Sequence, residues 1–102
     1  NQQKAVIGKW LKAGSEVYIF VEPTSGVDVG AIKEIYDVIL NMAREGVAVI
    51  VISSSVKEIL SLAETVFVIH DGDLVHEAPK SECTYDQLLA IAMQGRVREA
   101  AE

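Results

Sequence analysis

Short runs of apolar residues predict the β-strands of this chain. Residues 17–21 and 47–52 are continuous runs rich in β-branched and aromatic side chains, which is typical of strands buried on both faces. A third run, residues 65–70, is followed by Asp71-Gly72, a pair that favours a two-residue hairpin turn. Residues 73–76 are therefore predicted to return as a fourth, antiparallel strand.

Helices are predicted between and around these strands. Apolar residues recur at three- to four-residue spacing over residues 2–13, which end at Gly14, and over residues 30–44. Two shorter helices, residues 55–63 and 84–94, each open with a capping-box pattern, in which Ser or Thr is followed three residues later by Glu or Gln. The remaining residues at the end of the chain read as a polar tail.

The order of these elements predicts an α/β fold. Strands that alternate with helices favour a parallel sheet with right-handed crossovers. We therefore expect a partial, mainly parallel sheet with flanking helices and a C-terminal β-hairpin. The number of elements suits half of such a sheet rather than a whole one.

Composition and charge narrow the function classes. The chain has 102 residues, half of them hydrophobic, and a net charge of −6. The acidic balance argues against a nucleic-acid interface and against a basic membrane-binding face. The hydrophobic share exceeds what so small a domain needs, so we expect apolar surface that faces another part of a larger protein. The start at Asn1, without an initiator Met, agrees with that expectation.

The candidate chemistry lies where the first of these apolar runs ends. Glu22 follows the run directly, then come Pro23 and a turn-forming segment with two glycines and Asp28. Open α/β sheets place ligand-binding and catalytic groups at the carboxyl ends of their strands. The alternative is an ordinary strand exit with a solvated acid. No Cys, Asp or Glu stands at a spacing that would complete a metal site with His70 and His76, so none is predicted.

Four blocks in order resemble a known family. The block VYIFVEPTSGVDVG resembles the Walker B strand and D-loop of ATP-binding cassette ATPases, and GVAVIVISS resembles the strand leading to their switch histidine. The start NQQKAVIGKWL is similar to the segment after the signature motif, and VFVIHDGDLVHE to the ending of the cassette core. Residues 1–78 are thereby identified as resembling the C-terminal part of the second cassette of bacterial ribose and simple-sugar importers. Residues 79–102, a loop with the last helix and tail, match loosely.

The resemblance implies roles for five residues. Glu22 stands at the catalytic-glutamate position and Asp28 at the D-loop aspartate, while Gln3 matches the end of the signature segment. Two positions depart from the family's pattern: Val21 replaces the Walker B aspartate and Ser54 replaces the switch histidine. A valine cannot ligate a hard cation, and a serine lacks the ionisable ring of histidine.

The same resemblance implies a P-loop NTPase-like cassette that lacks its N-terminal half. The parent would use ATP and Mg²⁺ to drive sugar uptake, at the cytoplasmic face of the membrane. Its partners would be the other cassette and the permease. This chain carries no Gly-Lys-Ser/Thr phosphate loop, so we expect no tight nucleotide binding and no hydrolysis by the chain alone.

Two alternatives remain open at this point. One is a non-catalytic α/β module that dimerises through an exposed strand edge, beside residues 17–21 or 47–52, since unpaired apolar edges invite pairing with another chain. The other is an unrelated phospho-receiver domain, for which the chain shows no suitable acidic cluster.

Overall fold

The computed structural model describes residues 11–13 and 17–95, which fall into two compact units, Asn1–Ser54 and Ser55–Glu102. The elements in chain order are β1 (Leu11–Ala13), β2 (Val17–Val21), α1 (Val29–Arg44), β3 (Ala48–Ile52), α2 (Val56–Leu62), β4 (Thr65–His70), β5 (Asp73–Pro79), a short 3₁₀ helix (Lys80–Glu82) and α3 (Tyr85–Gln94).

The first unit contains a three-stranded sheet in the order β1-β2-β3. β2 and β3 are parallel, with Val17 opposite Ala48 and Val21 opposite Ile52. The crossover between them is α1, as the alternation of strand and helix predicted. The predicted strand over residues 17–21 is confirmed, and the predicted strand over residues 47–52 begins one residue later than expected.

The prediction of a helix over residues 2–13 is wrong at its C-terminal end. Leu11–Ala13 is a strand that pairs antiparallel with β2, with Leu11 opposite Ile19. The physical reason is the second edge of β2, which β3 leaves unpaired and whose N–H and C=O groups need partners. Residues 2–10 of the predicted helix, and Gly14, lie outside the described residues.

Only one face of this sheet is packed by α1. Phe20 of β2 and Ile35 and Ile39 of α1 are buried, at 2%, 3% and 2% exposure. The residues of β3 alternate between exposed and half-buried, and Ile50 and Ile52 are each about half exposed. The expectation that both strands are buried on both faces is therefore wrong within this unit, because α1 can cover one face only.

The second unit is a β-hairpin packed against helices. β4 and β5 are antiparallel, and Asp71 and Gly72 both have positive φ, +50° and +84°. Two consecutive positive φ values define the type I′ turn that the Asp-Gly pair predicted. β5 runs three residues beyond the predicted strand, to Pro79.

The core of the second unit joins one face of the hairpin to α3. Its buried side chains are Val66, Val68, Leu88 and Ile91. Both capping predictions are confirmed at the helix starts: the Glu58 N–H donates to Ser55 Oγ at 3.3 Å, and the Gln87 N–H donates to Thr84 Oγ1 at 3.1 Å.

The α/β class and the hairpin are confirmed, but a mainly parallel sheet is not what the described residues form. They contain one parallel pair and two antiparallel pairs, and the hairpin is a two-stranded sheet of its own. No helix in residues 17–95 combines the length and the apolarity that crossing a membrane requires. The domain boundary after residue 78 stays a prediction, although β5 continues through it to Pro79.

Candidate functional site

Glu22 lies at the carboxyl end of β2, immediately beside the end of β3. Its backbone N–H donates to the carbonyl of Ile52 at 2.7 Å, which extends the parallel ladder by one bond. The parallel register places the ends of the two strands at the same edge of the sheet. The sequence-based expectation of an acidic residue at that edge is therefore met in position.

The backbone of Glu22 adopts an unusual conformation. Its φ is +46°, in the left-handed region, which costs a residue with a side chain about 1–2 kcal/mol. Pro23 follows it, is fully buried, and fixes the exit of the chain from the strand. The Ser25 N–H donates to the Glu22 carbonyl at 3.1 Å and closes a tight turn. Strained residues of this kind persist where the surrounding structure holds them, and they cluster at functional sites.

A second turn leads from this point to α1. The Val27 N–H donates to the Thr24 carbonyl at 3.1 Å, and Gly26 takes a φ of +74° at the third position of that turn. A positive φ at this position is what a type II turn requires and what glycine permits without steric cost. The two turns reverse the chain so that α1 can return along the sheet.

The Glu22 carboxylate is hydrogen-bonded to the chain beyond β3. Its Oε2 accepts the backbone N–H of Ser54 at 3.0 Å, across 32 positions of sequence. An ionised acceptor makes this bond stronger than a bond between neutral groups. A carboxylate has two oxygens, so engaging one of them fixes the orientation of the group while the other can still accept. The structure thus brings together two of the residues singled out from the sequence.

Val21 lies one residue before Glu22 and is paired with Ile52. Both side chains are more than half exposed, and neither carries an oxygen. Within the described part of the chain no group of three or more His, Cys, Asp or Glu side chains could hold a metal ion. Magnesium requires several oxygen ligands in octahedral geometry, so the side chains present here do not fit that ion.

Asp28 lies at the N-cap position of α1, where its carbonyl accepts the Ala31 N–H at 2.9 Å. Its side chain is exposed and makes no capping hydrogen bond. Asp28 is therefore not part of the contact between Glu22 and Ser54. Gln3, the remaining candidate, lies outside the described residues.

The two histidines beside the hairpin turn do not face one another. His70 is opposite Asp73, and His76 is opposite Val68. His70 Nδ1 lies 2.9 Å from the carbonyl of Ala92 near the end of α3, so this nitrogen carries the proton and donates. His70 thus connects the hairpin to α3.

The hydrogen bond from the Ser54 main chain is the feature that sequence reasoning missed. The sequence drew attention to the side chain at position 54. A backbone N–H is common to every residue except proline, so its role as a donor cannot be recognised from the residue type. The signal that points to it is indirect: parallel neighbouring strands end at the same edge, and an acid follows one of them.

Comparison with known proteins finds sugar-import ATP-binding proteins that are similar to this chain. The chain is 44% identical over 96 residues to the ribose import ATP-binding protein RbsA of Bacillus licheniformis, which covers 94% of this chain and 20% of that protein. It is 44% identical over 95 residues to the ribose import ATP-binding protein RbsA 1 of Rubrobacter xylanophilus, covering 93% of this chain and 19% of that protein.

An arabinose relative gives a similar match. The arabinose import ATP-binding protein AraG of Pseudomonas savastanoi pv. phaseolicola is 41% identical over 93 residues, which cover 91% of this chain and 18% of that protein. No protein-family model matches the chain. The chain spans about a fifth of the length of the curated relatives it matches.

More than nine-tenths of the chain thus aligns with these relatives at over 40% identity. The chain is therefore a homologue of a segment of the ribose and arabinose import ATP-binding proteins.

Proposed function

We propose that this chain is the C-terminal part of the second cassette of a sugar importer's ATP-binding subunit. The identity of 44% to a ribose import ATP-binding protein over 94% of the chain carries the proposal. The subunit couples ATP binding and hydrolysis to the uptake of ribose or a related sugar. Glu22 at the end of a parallel strand, fixed to the neighbouring strand end, supports the placement next to the reaction centre.

Glu22 is the residue of this chain that we assign to the reaction. ATP, when bound, supplies the phosphoryl group that is transferred to water. The Glu22 carboxylate orients the attacking water and accepts its proton, which requires a fixed position and a free oxygen. The bond to Ser54 provides the fixed position and leaves one carboxylate oxygen for the water.

The other groups of the reaction must come from outside this chain. Its sequence has no Gly-rich phosphate loop, and the exposed Val21 replaces the aspartate that the family resemblance associates with Mg²⁺. We therefore propose a degenerate cassette that turns over slowly. Its partners are the other cassette and the permease, and it lies at the cytoplasmic face of the membrane.

Glu22→Gln tests this function in a protein that carries the chain together with the rest of the family's length. A matched control is Glu34→Gln, which removes the same charge from an exposed position of α1. We expect Glu22→Gln to lower ATP hydrolysis and the uptake of labelled ribose while nucleotide binding persists. General-base catalysis contributes about 10²- to 10⁴-fold to the rate of a reaction. The loss measured for the whole protein is limited by the share of its turnover that this cassette carries.

Two results would refute the proposal. If Glu22→Gln hydrolyses ATP as fast as Glu34→Gln does, Glu22 has no role in the reaction. If deletion of this protein from its host leaves ribose and arabinose uptake unchanged, the transported solute is not one of these sugars.

A second candidate function is suggested by the edge of β3. Among the described residues, β3 is the last strand of its sheet, and its sequence AVIVI carries no charge, proline or glycine. Natural edge strands usually carry such features to prevent pairing with other chains. We propose that a second copy of the isolated chain pairs with β3, which would make the chain a dimerisation module.

Sedimentation of two lysine variants tests this pairing. Ile50→Lys places a charge on β3, whereas Val38→Lys places one at a comparably exposed position of α1, 43% against 48% exposure. We expect only Ile50→Lys to shift the chain toward the monomer. A wild-type chain that is monomeric at high concentration would eliminate this candidate.

A further inference from the structure

The contact that positions Glu22 comes from the main chain at residue 54. The donor is the Ser54 backbone N–H, 3.0 Å from Glu22 Oε2, and the Ser54 side chain is exposed. The bond therefore forms whichever side chain occupies position 54, with the exception of proline, which has no N–H.

Two hydrogen bonds tie the end of β2 to the end of β3 over a very short stretch of chain. The Glu22 N–H donates to the carbonyl of Ile52, and the Glu22 carboxylate accepts from Ser54, two residues further on. Together they hold both the backbone and the side chain of Glu22 against the same strand end. They also oppose the conformational cost of the positive φ at this residue.

We propose that the backbone N–H of Ser54 is the positioning group for the Glu22 carboxylate, and that the side chain at position 54 is dispensable for this task. The inference rests on the proposed function, since it names the group that orients the residue assigned to the reaction. Ser54 acts through Glu22 and is a positioning residue, not a catalytic one.

The first test is spectroscopic and needs no activity. In the 102-residue chain labelled with ¹⁵N, the Ser54 amide resonance is compared between the wild type and Glu22→Ala. We expect the resonance to move when the carboxylate is removed, because a hydrogen bond to a carboxylate oxygen polarises the N–H. Glu34→Ala, at an exposed position of α1, should leave the resonance in place.

The second test uses hydrolysis by the longer protein, with the turnover that depends on Glu22 defined as wild type minus Glu22→Gln. We expect Ser54→Ala to retain this turnover and Ser54→Pro to reduce it about 10- to 100-fold, with KM unchanged, because a small misplacement of a reacting group costs that much. Circular dichroism checks that the proline variant is folded. Where it is not folded, the comparison of Ser54 amide resonances alone decides.

The outcomes separate the inference from the proposed function. If Ser54→Pro retains full turnover, or if the Ser54 amide does not respond to Glu22, the positioning role is overturned while hydrolysis through Glu22 stands. If Glu22→Gln loses no activity but the Ser54 amide still responds to Glu22→Ala, the contact exists and the proposed function has failed.

Discussion

Replacing Gly95 with alanine should destabilise the hairpin unit more than any other single glycine substitution in it. Gly95 ends α3 with a φ of +75°, and its N–H donates to the Ile91 carbonyl at 2.7 Å. A Cβ built at this position would lie 2.6 Å from His70 Cδ2 and 3.0 Å from His70 Cγ. Real Cβ contacts are longer than this, so the imidazole ring must move.

The expected cost has two parts. Left-handed backbone costs a residue with a side chain about 1–2 kcal/mol, and the lower entropy of the unfolded alanine chain returns about 0.4–1 kcal/mol of this. Displacing the ring of His70 breaks its bond to the Ala92 carbonyl, 2.9 Å in length, at about 0.5–1.5 kcal/mol. We therefore expect Gly95→Ala to lower the free energy of unfolding by about 2 kcal/mol.

Gly72→Ala is the matched control in the same unit. Its φ is +84°, but a Cβ there would meet nothing within 4 Å, so it carries the backbone cost of about 1 kcal/mol alone. Urea denaturation followed by circular dichroism measures both variants, and amide exchange in β4 and α3 shows that the loss lies in this unit. A double-mutant cycle with His70→Ala isolates the effect of the clash with the imidazole ring. Without this ring, Gly95→Ala should lower the free energy of unfolding by no more than Gly72→Ala does. Equal costs for the two glycine variants with His70 present would refute the reasoning.

Three further predictions follow from individual contacts. Glu22→Gly should leave the chain more stable than Glu22→Ala by about 1 kcal/mol in urea denaturation, because both lose the carboxylate but only alanine keeps the left-handed strain; the reverse order would contradict a strained Glu22. Thr84→Ala should cost about 0.5–2 kcal/mol of unfolding free energy and Thr84→Ser much less, because Thr84 Oγ1 accepts the Gln87 N–H; equal losses would show that the cap is not the cause. Burial, and then the Glu82 carboxylate, raise the pKa of the Cys83 thiol, so the folded chain favours the neutral thiol. Its contribution to stability is present below the pKa of the unfolded chain and is lost as the pH rises through the pKa of the folded chain. Alkylation of Cys83 should therefore need a higher pH in the folded than in the unfolded chain.

Sequence reasoning was most successful where the local chain decides the structure. The turn at Asp71-Gly72 and the caps at Ser55 and Thr84 were predicted from residue types, because each depends on groups within four positions of one another. The strand over residues 17–21 was predicted to the residue, since a continuous β-branched run between breakers has few alternatives.

It failed where a distant partner decides. The spacing of apolar residues predicts a helix that includes residues 11–13, yet these residues pair with one edge of β2. The local sequence does not reveal that this edge is available for pairing. The burial of β2 and β3 was overestimated for the same reason, since whether a second face is covered depends on elements that the strand's own sequence does not contain.

The sequence by itself determined most of the element types, the turn and cap chemistry, the likeness to sugar-import ATP-binding proteins, and the position of Glu22 after a strand. Those properties depend on neighbouring residues or on similarity read along the chain. Only the tertiary structure decided that Glu22 is bonded to residue 54, that the bond comes from the main chain, and that the backbone of Glu22 is left-handed. These features arise because Glu22 and Ser54, 32 positions apart, follow two strands that end at the same edge of a sheet. Hydrogen bonds between such distant groups fix conformations that no local preference would select.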